Sequence, residues 1–150
     1  MASNLVGRIN MLPEDLKYSE THEWVRILAK KREATIGLTD FAIKQLSDLV
    51  HIELPKVGEA LEQGTPFGEI ESVKTVADLV TPVGGTITEV NHEVESDVEI
   101  LKENAFEDGW LLKIKHEKPT ELDALMSQKE YTDFLGTLEQ DEDEAEQDGE

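Results

Sequence analysis

Pro66-Phe67-Gly68-Glu69-Ile70-Glu71-Ser72-Val73-Lys74-Thr75-Val76-Ala77-Asp78-Leu79-Val80 decides the fold. Two short, apolar, β-branched segments, 66–73 and 75–80, flank Lys74. Such segments bounded by turn residues read as strands. Gly64 precedes the first arm, and Pro82-Val83-Gly84-Gly85 follows the second. The arms have similar length and similar punctuation, so Lys74 is expected at the tip of a tight hairpin. An amine held there is exposed and open to acylation, while a folded core would have no use for its charge. The neighbouring Glu71 and Asp78 add negative charge for partner recognition. An ordinary solvated surface lysine is the plain alternative that pattern alone leaves open.

Working outward, the same short-strand pattern recurs. Trp24 to Leu28 and Ala34 to Gly37 read as a hairpin across the polar turn Lys30-Lys31-Arg32. Thr39 is an N-cap with Asp40 in the first turn, and a helix is expected over 39–47. Strands are expected at 49–54, within 57–64, at 86–90 and at 110–115. Residues 91–108 read as loop with one helical turn near 98–102. Helices are expected near 120–126 and 128–138, the second opened by a Ser127/Glu130 capping box. Many short strands with Gly/Pro turns indicate an antiparallel sandwich or flattened barrel.

The chain has 150 residues, net charge −20 and no cysteine. That length fits one domain, with or without a tail. Eight of the twelve residues 139–150 are Asp or Glu, which leaves −12 on the preceding 138. Such a surface repels nucleic-acid phosphates and anionic membranes, so neither is an expected partner. No apolar run nears the ~20 residues that span a bilayer. The absence of cysteine excludes disulfides and thiolate chemistry from the chain itself. Residues 1–16 are expected to be a loose lead-in without secretory character, 17–138 the domain, and 139–150 a disordered acidic tail. His22, His51, His92 and His116 lack metal-ligand spacing.

Several motifs in order and spacing carry a family resemblance. They include Thr21-His22-Glu23-Trp24-Val25, Ala34-Thr35-Ile36-Gly37-Leu38-Thr39-Asp40, Val50-His51-Ile52-Glu53-Leu54-Pro55, Glu71-Ser72-Val73-Lys74, Pro82-Val83-Gly84-Gly85 and Glu107-Asp108-Gly109-Trp110-Leu111. Over roughly 16–135 the sequence resembles the glycine cleavage system H protein family. The resemblance implies a mainly β, lipoyl/biotinyl-type barrel-sandwich hybrid with short flanking helices and a C-terminal helical segment. It implies lipoate in amide linkage at Lys74, attached by a lipoate ligase or a lipoyl/octanoyl transferase. The dithiolane would supply the sulfur that the chain lacks.

The resemblance further implies a carrier rather than an enzyme. Its lipoyl arm would shuttle an aminomethyl unit between glycine decarboxylase (P protein), aminomethyltransferase (T protein) and dihydrolipoamide dehydrogenase (L protein). The expected compartment is the cytoplasm, or the mitochondrial matrix in a eukaryote. By matching positions, Thr21, Glu23, Leu38, Ala42 and Asp78 would wall a cleft for the loaded arm. The carboxylates would meet its ammonium, and Leu38 and Ala42 its apolar stem. Plain core packing is the other reading of Leu38 and Ala42, and a solvated strand residue the other reading of Glu23.

Two departures stand out. Gln45 occupies a helix position where the family often has histidine, and the stretch 97–106 differs from the family pattern. H-like carriers of a heterodisulfide-reductase-like sulfur-oxidation system, or of lipoate relay, resemble the same fold. They are the alternative reading. Biotin attachment is disfavoured, because it resembles a Met-Lys-Met tip and Lys74 lies between Val73 and Thr75.

Overall fold

The computed structural model describes the backbone of residues 16–28, 32–116 and 118–148. Among the described residues, nine strands form two antiparallel sheets. The strands are β1 (Lys17–Tyr18), β2 (Glu23–Leu28), β3 (Glu33–Leu38), β4 (Leu49–Glu53), β5 (Ala60–Leu61), β6 (Pro66–Ser72), β7 (Val76–Val80), β8 (Gly85–Val90) and β9 (Leu112–His116). Six strands make one sheet in the order β1-β2-β3-β9-β8-β5, and three make the other in the order β4-β6-β7. Helix α1 (Asp40–Leu46) links β3 to β4, while α2 (Glu93–Ser96) and α3 (Glu99–Glu103) lie between β8 and β9. A 3₁₀ helix, η1 (Pro119–Ala124), and a long α4 (Gln128–Asp148) follow β9.

The sheets close on one apolar core. Val25, Ile36, Leu112 and Ile114 come from the large sheet, Ile52, Ile70 and Leu79 from the small one, and Leu101 from α3. Alternation places these residues inward and their polar neighbours outward. Trp24 anchors one end of the fold, its indole donating to the Ala105 carbonyl at 3.1 Å. Cross-strand from it stands Gly37, where a Cβ would lie 2.5 Å from the indole. No larger residue fits beneath the ring.

A second cluster joins the two ends of the domain. Leu16, Tyr18, Trp24 and Tyr131 are all buried together. The Tyr18 and Tyr131 rings stack at 4.6 Å with 3° between their planes. Tyr18 also exchanges backbone hydrogen bonds with Met126, at 2.8 and 2.7 Å. Leu16 therefore belongs to the packed domain and not to the lead-in assigned to it. The remainder of that lead-in, 1–15, lies outside the described residues, as do Lys30 and Lys31 of the polar turn.

The expected strands are present, together with β1, which was not expected. Helix α1 starts at its Thr39 cap as expected, with Thr39 Oγ1 accepting the Ala42 amide at 3.3 Å. The Ser127/Glu130 capping box also forms, with bonds of 2.9 and 3.2 Å. Between 91 and 108 there are two short helices and not one turn. Helix α4 continues to Asp148 instead of ending near 138. The backbone of the segment expected to be disordered is thus helical through 148. Gln, Glu and Ala are good helix formers, and nothing after Gly136 breaks the helix before Asp148.

Candidate functional site

Lys74 sits at the tip of the β6–β7 hairpin, in the turn 72–75 beyond the last pair, Glu71 with Val76. Its side chain is exposed. Among the described residues no acidic group forms an ion pair with its amine.

The tip is tied from two sides. Ser72 is the inner tie. Ser72 is 4% exposed, and its hydroxyl accepts the backbone amides of Lys74 and Thr75, each at 3.2 Å. The Ser72 amide donates to the Thr75 carbonyl at 2.8 Å and closes the turn. Serine at the first turn position satisfies amides two and three residues on, at little entropic cost. The outer tie is the Asp48 carbonyl, which accepts the Val73 amide at 3.0 Å. Asp48 is delivered by Ser47, the C-cap of α1, at φ 67° and ψ −128°, a conformation that favours glycine. Neither serine was singled out from sequence. A serine two residues before the lysine was the available signal.

Of the expected cleft residues, Leu38, Ala42 and Glu23 are buried, and Thr21 and Asp78 are exposed. Leu38 and Ala42 are 3% and 8% exposed and belong to the central core. Glu23 is 1% exposed, so it is no solvated strand residue. Its Oε1 accepts the hydroxyls of Ser19, at 2.8 Å, and Thr21. Its Oε2 accepts the Val80 amide at 3.2 Å. Three of roughly four carboxylate lone-pair sites are thus filled. Burial pushes the Glu23 carboxyl above the ordinary range, and the hydrogen bonds from Thr21, Ser19 and Val80 pull against it. The physical reason for this arrangement is the free edge of β7. That strand closes the small sheet, and Glu23 caps an amide there that has no strand partner.

Thr21 is exposed and donates its hydroxyl to Glu23. Asp78 is exposed, pairs with Glu69 and shares the outer face of the small sheet with Glu71. Glu23 lies at the sheet edge while Asp78 lies on its outer face, so the two carboxylates are not opposed. Gln45, in the histidine-like position of α1, is exposed.

His22 lies beside Glu23 and belongs to a separate network. Its Nδ1 is 2.9 Å from the Tyr131 hydroxyl, which is 2.8 Å from Thr39 Oγ1. Burial lowers the His22 pKa and raises that of Tyr131. Among the described residues no group of His, Asp or Glu could hold a metal ion, and no helix is long and apolar enough to cross a membrane.

A two-sheet β domain that presents one pinned, exposed lysine has the architecture of a carrier of a covalently attached group. The family model for the glycine cleavage H-protein matches residues 16–138. The chain is 43% identical over 124 residues to a glycine cleavage system H protein of Halalkalibacterium halodurans, covering 83% of this chain and 95% of that one. It is 41% identical over 125 residues to the H protein of Staphylococcus epidermidis, covering 83% and 98%. The crystal structure of a glycine cleavage system H protein from Mycobacterium marinum superposes with a TM-score of 0.74 at 32% identity, covering 83% and 99%. The chain belongs to the glycine cleavage H-protein family, a family of lipoyl carriers with the barrel-sandwich fold.

Proposed function

We propose that this chain carries lipoate in amide linkage on Lys74 and moves an aminomethyl unit between glycine decarboxylase, aminomethyltransferase and dihydrolipoamide dehydrogenase. The observation that carries this reading is the tip itself. Lys74 is exposed on a turn held by Ser72 and Asp48, and its amine has no described acidic partner. Attachment joins the amine nitrogen to the carbonyl carbon of an activated acyl donor. The donor's adenylate or thiol leaves, and the amine proton passes to a base on the attaching enzyme.

When bound, the dithiolane supplies the redox-active sulfur that a chain without cysteine cannot. The protein supplies a fixed stem, so the arm swings from one point and reaches each partner at high effective concentration. Glu71 lies three residues before Lys74 and Asp78 four after it. Both are exposed and available to partner enzymes. Asp78 is the open carboxylate for a cationic load. Glu23 contributes through β7, by holding the edge of the strand that carries Asp78.

The test is acylation by an ATP-dependent lipoate ligase, followed by glycine–bicarbonate exchange with the decarboxylase. The wild-type chain is expected to gain one lipoyl mass and to support exchange. Lys74→Arg is expected to lose both while its stability stays within about 0.5 kcal/mol, as for other exposed substitutions. A lipoyl adduct on Lys74→Arg would place the site elsewhere. A fully lipoylated wild type that fails to support exchange would remove the glycine cleavage role.

A further inference from the structure

Four large apolar side chains are exposed among the described residues: Val50, Val57, Val73 and Val76, at 53%, 58%, 67% and 55%. Three of them gather around Lys74, and a register shift accounts for one. On β4, Leu49 pairs with Ser72 and His51 pairs with Glu71. Two steps along β4 thus oppose one step along β6, which leaves Val50 as the extra residue of a bulge. Regular alternation would turn Val50 to the face opposite His51. The burial sequence instead runs half-buried, exposed, exposed, buried over Leu49, Val50, His51 and Ile52. The bulge turns Val50 outward beside His51, and bulges commonly re-aim a side chain next to a functional site.

The consequence is a row across the outer face of the small sheet. It runs from Val50 and His51 on β4, through Glu71 on β6, to Val76 on β7. Val73 and Lys74 stand at its end, on the tip. The next row down the same face is Glu53, Glu69 and Asp78, all exposed. The amine is therefore bordered by Val50, Val73 and Val76 interleaved with His51 and Glu71, and beyond them by a line of carboxylates.

Resting on the assignment of Lys74 as the attachment site, we propose that Val50, Val73 and Val76 form the docking surface for the enzyme that acylates Lys74. That enzyme would present an apolar rim around the mouth of its acyl channel, with Lys or Arg facing Glu53, Glu69 and Asp78. The amine must enter a partner's active site, so the surface around it has to be desolvated against that partner. The three valines lose water there at no polar cost, whereas polar residues in their places would need replacement hydrogen bonds. The small patch suits a transient encounter and not a permanent interface. A second copy of this chain would bring another −20 charge against the same acidic row. An anionic membrane would meet the same repulsion.

The test is steady-state acylation of the unmodified full chain by a lipoate ligase with octanoate and ATP, followed by intact mass. Val50→Ser with Val76→Ser is expected to raise the KM for the acceptor protein about tenfold with kcat unchanged. Its melting temperature should stay near that of wild type, since both side chains are exposed. Val50→Ile should keep the wild-type KM, and so should Val57→Ser, in the loop between β4 and β5. Neutralising Glu53 and Glu69 to Gln should raise KM and flatten its salt dependence. An unchanged KM in the double serine variant overturns the proposal, as does a fall in kcat alone. A valine-dependent change in sedimentation with no change in KM would assign the patch to a second copy and also overturn it. A wild-type chain that gains no octanoyl mass at Lys74 would instead defeat the attachment-site reading on which the proposal rests.

Discussion

The Val73 amide donates to the Asp48 carbonyl at 3.0 Å, and this bond ties the modification hairpin to the loop after α1. The tip is therefore a junction between two elements. What happens at α1's C-terminus is transmitted to the residue next to Lys74.

Ser72→Ala should loosen the tip without unfolding the domain. The Lys74 and Thr75 amides lose their acceptor and turn to water, at a cost of about 1 kcal/mol. Hydrogen exchange should speed up at those two amides in particular, and acylation of Lys74 should slow. Unchanged exchange at both amides would show that the hydroxyl does not hold the turn.

Ser47→Gly should stabilise the protein. Ser47 occupies a region that glycine enters freely, and relief of such strain outweighs the added flexibility of the unfolded chain. A gain of roughly 1 kcal/mol is expected in denaturant unfolding. Acylation should be unaffected, because the Asp48 carbonyl stays in place. A loss of stability would mean that the serine is comfortable there.

Glu23→Gln should change how stability depends on pH. Burial raises the folded-state pKa of Glu23 above its ordinary value of 4.5. The folded protein then binds this proton more tightly than the unfolded chain does. Its contribution is fully present below pH 4.5 and is lost as the pH rises through the folded value. Glutamine has no such titration. The variant's melting temperature relative to wild type should therefore climb from pH 4 to 7, as followed by thermal melts (about one pKa unit is ~1.4 kcal/mol). A constant difference across that range would refute the burial argument.

Tyr131→Phe should weaken the seating of α4. The ring stack on Tyr18 survives, but Thr39 and His22 lose their shared hydroxyl partner. A cost of about 1–2 kcal/mol is expected in urea unfolding. A neutral result would show that stacking alone holds the helix.

What the sequence made legible follows from which forces are local. The Lys74 hairpin was readable because strand-forming residues and turn residues alternate over a short span. Helix α1 was readable from Thr39 and the spacing of Phe41, Ala42 and Leu46. Strand β1 was not, because two residues acquire strand geometry only by pairing with Trp24 and Val25 and bridging Met126. The burial of Glu23 was hidden for the same reason: its partner amide is at Val80, 57 residues away. Leu38 and Ala42 admit two readings in sequence, and the structure buries both in the central core. The reach of α4 is hard to read because over 139–148 the acidic composition favours disorder while the helix propensity of Glu, Gln and Ala favours the helix.

The stack between Tyr18 and Tyr131 also has a kinetic meaning. It closes a loop over most of the domain, whereas β4, β6 and β7 pair within 49–80. Long loops close late, after local pairings have formed. A growing chain would therefore complete the lysine-bearing sheet well before α4 exists to join the two ends. Interactions made after the rate-limiting barrier retard unfolding and leave the folding rate almost untouched. The aromatic clasp thus acts as a latch on the finished molecule, setting how long the carrier stays folded more than how quickly it forms.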